Sequence, residues 1–377
     1  MEILIGGDVV PTAANIDLFS SGSVNELLGN SLYNLWGNAD VRIFNLETPL
    51  VDQKAPIAKQ GPNLVAPTST IKGIKELRPE LVTLANNHIL DQGEYGLFST
   101  QQLLKEYKIP SLGAGDNIAQ AAEPYIIKKN GISIGVYACT EHEFTIATNK
   151  SAGANPFDPL ESLDHIENLK SKCDYVIVLY HGGKEHYRYP SPYLQKVCRK
   201  IVEKGADLVV CQHSHCIGCY EEIKGSTIIY GQGNFIFNKY DNEYWNNSLI
   251  IKVTISSSNK IEFIPIIRTE KGVSLATGQN AKDIVDEFEN RSKEIIKEGF
   301  VKTQYNNFSQ EKLYLYLRQL SGSGKWISRI DKILFKNYFL KRKYDARRLM
   351  AILNYIECEA HRELLISAIK GETNIER

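Results

Sequence analysis

Short apolar runs rich in β-branched residues recur through the first 270 positions, with stretches of three- and four-residue apolar spacing between them. Glu2–Gly7, Val41–Leu46, Leu81–Ala85, Tyr175–Tyr180, Leu208–Cys211 and Thr227–Tyr230 have the length and texture of buried strands. Helical spacing runs over roughly 24–37, 68–77, 95–107, 160–171 and 191–204. This alternation predicts βαβ units. Two hairpins interrupt it. Tyr125–Lys129 and Ser133–Ala138 flank Asn130-Gly131, a favoured two-residue turn, and Ile250–Ile255 and Lys260–Ile267 flank a Ser/Asn loop. The expectation for 1–270 is an α/β domain with a mixed sheet.

Beyond that point the pattern is helical over 281–298, 310–320, 326–340 and 344–370. Ser309 is placed to cap the second of these helices and Gly322 to stop it. The predicted division is therefore an α/β domain over 1–270 and an α-helical C-terminal extension over 271–377, with Ser-Gly-Ser-Gly at 321–324 as a hinge.

Composition narrows the class. Among 377 residues, 43% are hydrophobic and 10% aromatic, which suits a packed core and excludes a disordered chain. Lys and Arg number 44 and Asp and Glu 44, so no global field draws the chain to polyanions, and sequence-specific nucleic-acid binding is not expected. The opening MEILIGGD reads as a strand, not a secretion signal, and no apolar stretch has membrane-spanning length. Seven cysteines form no paired framework. The expected compartment is the cytoplasm, with peripheral membrane association a second option. The zero sum is uneven: residues 325–348 hold nine Lys/Arg and two Asp, a net +7 against −7 elsewhere, interleaved with Trp326, Ile327, Ile330, Ile333, Leu334 and Phe335. Such a segment suits an anionic membrane surface, an anionic polymer or a protein partner, or packs its apolar face on the main domain.

Metal-type side chains recur where the predicted strands end. Asp8 follows the first, Asn45 and Glu47 close the second, and Asn86-Asn87-His88 follows the third with Asp91 one turn on. His181 follows the fourth, and Gln212-His213-Ser214-His215 the fifth. Open α/β sheets bind ligands beyond the carboxyl ends of their strands, so five segments deliver these groups to one rim. Mixed oxygen and imidazole donors suit Mn, Fe or Zn, and their number exceeds what one catalytic zinc takes. Two divalent ions sharing a carboxylate would use them. Cys211, Cys216 and Cys219 form a rival zinc set with a single C-x-x-C spacing.

Gly7-Asp8-Val9, Asn45-Leu46-Glu47-Thr48-Pro49-Leu50, Ala85-Asn86-Asn87-His88 with Asp91, His181-Gly182-Gly183-Lys184-Glu185, Gln212-His213-Ser214-His215 and Tyr230-Gly231-Gln232-Gly233-Asn234-Phe235 resemble, in order, the motifs of the CapA family. These are poly-γ-glutamate capsule synthesis proteins, themselves similar to calcineurin-like metallophosphoesterases. The resemblance covers about 1–270 and implies a four-layer α/β/β/α metallophosphoesterase-like sandwich with two metals. It implies that Asp8 binds one metal, Glu47 bridges, Asn87 and His181 bind the second, and His213 and His215 divide between them. His88 would protonate the leaving group, oriented by Asp91. One position departs from the wider phosphoesterase pattern: Val10 stands where a His is usual, and Glu141 or His142 is a candidate replacement.

The function expected is a CapA-like, metal-dependent hydrolase of phosphoester or amide bonds, acting through a metal-activated water in capsule or surface-polymer biosynthesis of the poly-γ-glutamate type. The substrate would be an anionic polymer or a small molecule. Asn45, Glu141, Lys184, Glu185, Arg188 and Asn234 are the expected substrate contacts. The alternative is a non-catalytic metal-binding accessory subunit of a polymer synthesis or export complex.

Overall fold

A computed structural model describes residues 1–373. The predicted strands form, among the described residues, two large sheets. In the first, Glu2–Val9, Val41–Leu46, Leu81–Thr83 and Ser111–Leu112 run parallel; Asn247–Thr254, Lys260–Arg268 and Val273–Leu275 extend it antiparallel, and Asn234–Ile236 joins Glu2–Val9 at its end. In the second, Ile132–Thr140, Tyr175–His181, Leu208–Gln212 and Ser226–Ile229 are parallel, with Tyr125–Lys129 and Tyr220–Ile223 antiparallel at the edges. The Asn130-Gly131 turn forms as predicted, both residues at positive φ.

Three apolar clusters define the layers. Ile3, Ile5 and Ile43 of the first sheet meet Val136, Ile177 and Val210 of the second in a buried core between them. The far face of the first sheet, at Leu4, Phe44 and Val82, packs on Leu28, Trp36 and Ile74 of its helices. The far face of the second, at Val176, Val178 and Val209, packs on Ile166 and Val197. The result is a four-layer α/β/β/α sandwich, as expected. Its strands are near-continuous apolar runs because both faces of each sheet are covered.

The boundary lies later than 270. The first compact unit runs from Met1 to Val301. Strand Val273–Leu275 completes the first sheet. Helix Gly278–Ile295 seals the open end of the inter-sheet core: Phe288 lies 5.1 Å from Tyr220 and 4.8 Å from Phe263, ring centre to ring centre. A purely helical periodicity at 281–298 does not reveal that its apolar stripe belongs to a β-sandwich core. The second unit, from Lys302, is helical, as predicted. Its helices are Phe300–Leu320 (which begins at the boundary), Lys325–Leu334, Tyr338–Lys343, Ala346–Glu357 and Glu359–Glu372. Ser309 does not cap a helix there; it sits inside the first one, with its hydroxyl donating to the Asn306 carbonyl. Gly322 does mark that helix's end, at φ +65°. The predicted 326–340 helix breaks between Leu334 and Tyr338, where Lys336 and Asn337 take positive φ.

Candidate metal centre

Register brings the predicted residues to one edge. In the parallel ladder Asp8 pairs with Asn45 on one side and Asn234 on the other, Asn45 pairs with Thr83, and in the second sheet His181 pairs with Gln212. Gly7 is required by this convergence: a Cβ there would sit 2.1 Å from the Gly233 carbonyl oxygen. His213 and His215 are held at φ +79° and +53°, a left-handed conformation that costs a β-carbon-bearing residue roughly 1 kcal/mol or more. It turns both imidazoles back over the strand ends, and the His213 backbone N–H donates to Asp8 Oδ2 at 3.4 Å.

Two overlapping donor sets result: Glu47, His181 and His213, and Asp8, Glu47 and His215, all buried. Glu47 belongs to both. The His181 Nε2 lies 3.1 Å from Asn87 Oδ1 and 3.3 Å from Glu47 Oε1. Those are edge lengths of about 3.0–3.4 Å, as expected between donors roughly 2.1 Å from a common ion. Both Glu47 oxygens and His213 Nδ1 are buried without a hydrogen-bond partner. Burying such groups unpaired is costly, and a cation would satisfy them. Burial pushes the Glu47 carboxyl up to about 8; burial, then the Glu47 charge, push Asp8 up to about 7. Burial likewise lowers His181, drives His213 well below the imidazole range and takes His215 down to about 3. The imidazoles therefore keep free lone pairs at neutral pH, as metal ligation requires. These groups fit a divalent-metal site.

Beside it lies His88, whose Nδ1 is 2.6 Å from Asp91 Oδ2. Asn86 Oδ1 accepts the His88 backbone N–H at 3.1 Å, while the Asn86 amide donates to Asn45 Oδ1 and the Leu46 carbonyl. A residue the sequence reading missed completes this group. The ammonium of Lys59, almost wholly buried, bonds Asp91 Oδ1 and lies 3.3 Å from His88 Nδ1. Lys59 sits in a Pro- and Ala-containing loop without periodicity, so nothing in its neighbourhood marks it. A buried carboxylate at Asp91 needs a cation, and that requirement is the only signal that would have found it.

The six expected substrate contacts divide. Glu141 borders the cluster, its Oε1 3.7 Å from His213 Nε2, and burial pushes its carboxyl up to about 7. Lys184 and Glu185 are exposed, and the Glu185 charge raises Glu47 further. The other three are engaged internally. Asn45 is fully buried, donating to Asp8 Oδ1 at 2.8 Å and standing 3.3 Å from His181 Nδ1. Asn234 Oδ1 meets His215 Nδ1 at 2.9 Å. Both orient ligand-type residues, because strand ends this deep face other strands before they face solvent. Arg188 donates to the Ile217 carbonyl and lies over the Tyr244 ring at 5.0 Å, so its guanidinium is held in the wall. Val10 packs with Phe237 and Trp245, filling the place of the usual His with apolar surface. Glu143, not the exposed His142, joins Glu141 and His213 in a third donor group. No cysteine enters a metal-type group among the described residues, so the rival zinc set gains no support.

Sandwich and site together define a two-sheet α/β protein with a buried metal-type centre. Residues 2–239 match the family described as bacterial capsule synthesis protein PGA_cap, and the chain belongs to that family. It is 30% identical over 211 residues to the capsule biosynthesis protein CapA of Bacillus anthracis, covering 54% of this chain and 51% of that one. It is 28% identical over 199 residues to the PGA biosynthesis protein CapA of Bacillus subtilis (strain 168), covering 52% of each. The chain thus spans about half the length of the curated relatives it matches. A solved structure described as a novel phosphatase from Mycoplasma pneumoniae aligns at 13% identity and a TM-score of 0.43, covering 71% of this chain and 93% of that one.

Proposed function

We propose that the protein is a metal-dependent hydrolase of phosphoester or amide bonds in capsule or surface-polymer biosynthesis of the poly-γ-glutamate type. The observation that carries this reading is Glu47, buried with both oxygens unpartnered and common to two His-containing donor sets. Two divalent ions (Mn, Fe or Zn) would supply an acidified water and a Lewis acid for the developing oxyanion. Asp8 and His215 would hold one, and Asn87, His181 and His213 the other, with Glu47 between. Asn45 and Asn234 fix Asp8 and His215 in place. Asp91, itself paired with Lys59, would accept the Nδ1 proton of His88, which leaves Nε2 to give a proton to the leaving group. Lys184 and Glu185, both exposed, would be contacts for the arriving substrate, with Lys184 meeting its anionic groups.

The alternative is an accessory subunit that uses its metal structurally. The apolar wall of Val10, Phe237 and Trp245 beside His215 favours it, since it removes one donor from the Asp8 side. Metal analysis of protein purified without chelator, with hydrolysis assays on phosphodiesters and γ-glutamyl amides, separates the two. More than one equivalent of metal and hydrolysis lost in Asn87→Ala or His213→Ala supports the enzyme. Full metal without hydrolysis supports the accessory role. A folded protein that takes up no metal overturns both.

A further inference from the structure

The family match ends at residue 239, and the basic segment 325–348 lies outside it. There the apolar side chains are exposed: Trp326 by 77%, Ile333 by 63% and Leu334 by 70%, with Ile330 also exposed. They fall on one side of helix Lys325–Leu334, at i, i+4, i+7 and i+8. The side chains of Lys325 and Ile327 lie outside the described set. Arg329, Lys332 and Lys336 flank the apolar stripe, and all three are exposed. Of the segment's two acids, one is withdrawn from the surface and the other caps a helix. Asp331 is buried, accepting the backbone N–H groups of Phe339 and Leu340 at 3.1 Å each. Asp345 caps the next helix through the Arg348 N–H at 2.9 Å. Among the described residues no carboxylate pairs with the Lys and Arg of 329–348.

We infer that this segment docks the protein on an anionic lipid bilayer, lying in its interface. Two alternatives use less of the surface. A soluble polyanion meets the charge but leaves Trp326 and Leu334 in water. A second copy covers the apolar stripe but sets +7 against +7. Anionic headgroups over acyl chains take the basic and the apolar side chains together. Docking in the plane is also the form of attachment open to these helices, since no helix among the described residues is long and apolar enough to cross a membrane.

The protein carries its own reporter. Of three tryptophans, Trp36 and Trp245 are 2% and 5% exposed, so a fluorescence change on vesicle binding comes from Trp326. The full chain is mixed with vesicles of phosphatidylcholine alone or with phosphatidylglycerol, and in parallel with soluble polyglutamate. Expected are a blue shift and co-sedimentation with the anionic vesicles, at least about tenfold weaker binding to neutral ones, and release by high salt. Combined Trp326→Ser, Ile333→Ser and Leu334→Ser substitutions should weaken vesicle binding at least about tenfold, measured by co-sedimentation, with the thermal transition unchanged. Lack of binding to anionic vesicles overturns the inference. So does vesicle binding indifferent to the triple substitution, which would make the segment a charge-only polyanion site. Self-association abolished by the triple substitution, without vesicle binding, would assign the face to a second copy and overturn it too.

Discussion

Replacing Glu47 with Gln separates what burial does to the site from what a cation does. In metal-free protein both Glu47 oxygens are buried and unpartnered, and burial raises the carboxyl from 4.5 to about 8. With the folded value above the unfolded one, the native state keeps a proton that the unfolded chain gives up. The carboxyl's contribution to stability is therefore whole below about pH 4.5 and is lost as pH rises through about 8. At about 1.4 kcal/mol per tenfold change in proton affinity the ceiling is ~5 kcal/mol, and water entry and local relaxation bring it to ~2 kcal/mol. Gln has nearly the same shape and no charge. Its amide leaves an unpaired donor that costs about 1–2 kcal/mol at every pH, so the slope with pH is the quantity to read, not absolute stability. Urea unfolding of chelator-treated protein at about pH 5 and about pH 8.5 should show wild type losing on the order of 2 kcal/mol more than E47Q. Asp8, raised to about 7, tilts both proteins in the same direction. Mn²⁺ or Zn²⁺ should reverse the wild-type loss, because a cation favours the carboxylate, and should leave E47Q little changed. If metal-free E47Q is as pH-sensitive as wild type, or if metal stabilises the two equally, Glu47 is neither the strained group nor the shared ligand.

His88→Asn should lower hydrolysis by about 10²–10⁴-fold with metal content unchanged, measured by parallel rate and metal assays. Lys59→Met removes the cation beside Asp91 and His88, and kcat should fall about tenfold or more while metal content stays constant; an unaltered rate would make Lys59 a packing residue only. Val10→His should raise metal stoichiometry or affinity in calorimetric titration, at a cost of about 1–3 kcal/mol from disrupting the contact with Phe237 and Trp245.

Much of the sandwich was legible because its signals are local. Tyr175–His181 and Leu208–Gln212 are fully buried on both faces, which leaves a continuous apolar run in the sequence. The ligand-type residues were legible because they immediately follow those runs. What was illegible depends on distant partners. Asn45 reads as a polar residue near a rim, and only its neighbours Asp8, Thr83 and Asn86 reveal that both ends of its amide are engaged. Lys59 is 32 positions from the Asp91 it serves, across a loop with no period. The left-handed backbone at His213 and His215 is imposed by the turn that seats them, and no propensity announces it. Helix Gly278–Ile295 belongs to the first unit and not to the helical extension, which its sequence does not reveal because a helix's apolar stripe does not name the surface it meets.

The two halves of the proposed centre are not equivalent, and the difference follows from single residues. Glu47, His181, His213 and Asn87 place oxygen and imidazole donors around one point, three of their atoms already at ligand-edge spacing. In the set of Asp8, Glu47 and His215, the His215 ring lies against Phe237 and Trp245, which with Val10 form an apolar cluster that offers no further donor. The first half should therefore fill at lower metal concentration. An ion in the first half would favour the ionised form of Glu47, so the charge that burial penalises in the metal-free protein would already be present for the second half. Repulsion between two cations opposes this gain, and the missing donor at position 10 weakens the second half further. Sequential filling, with a tight and a weak step in one titration, is the signature of such an arrangement. Val10→His would be expected to draw the two steps together, and two steps that stay apart in that variant would refute the role given to Val10.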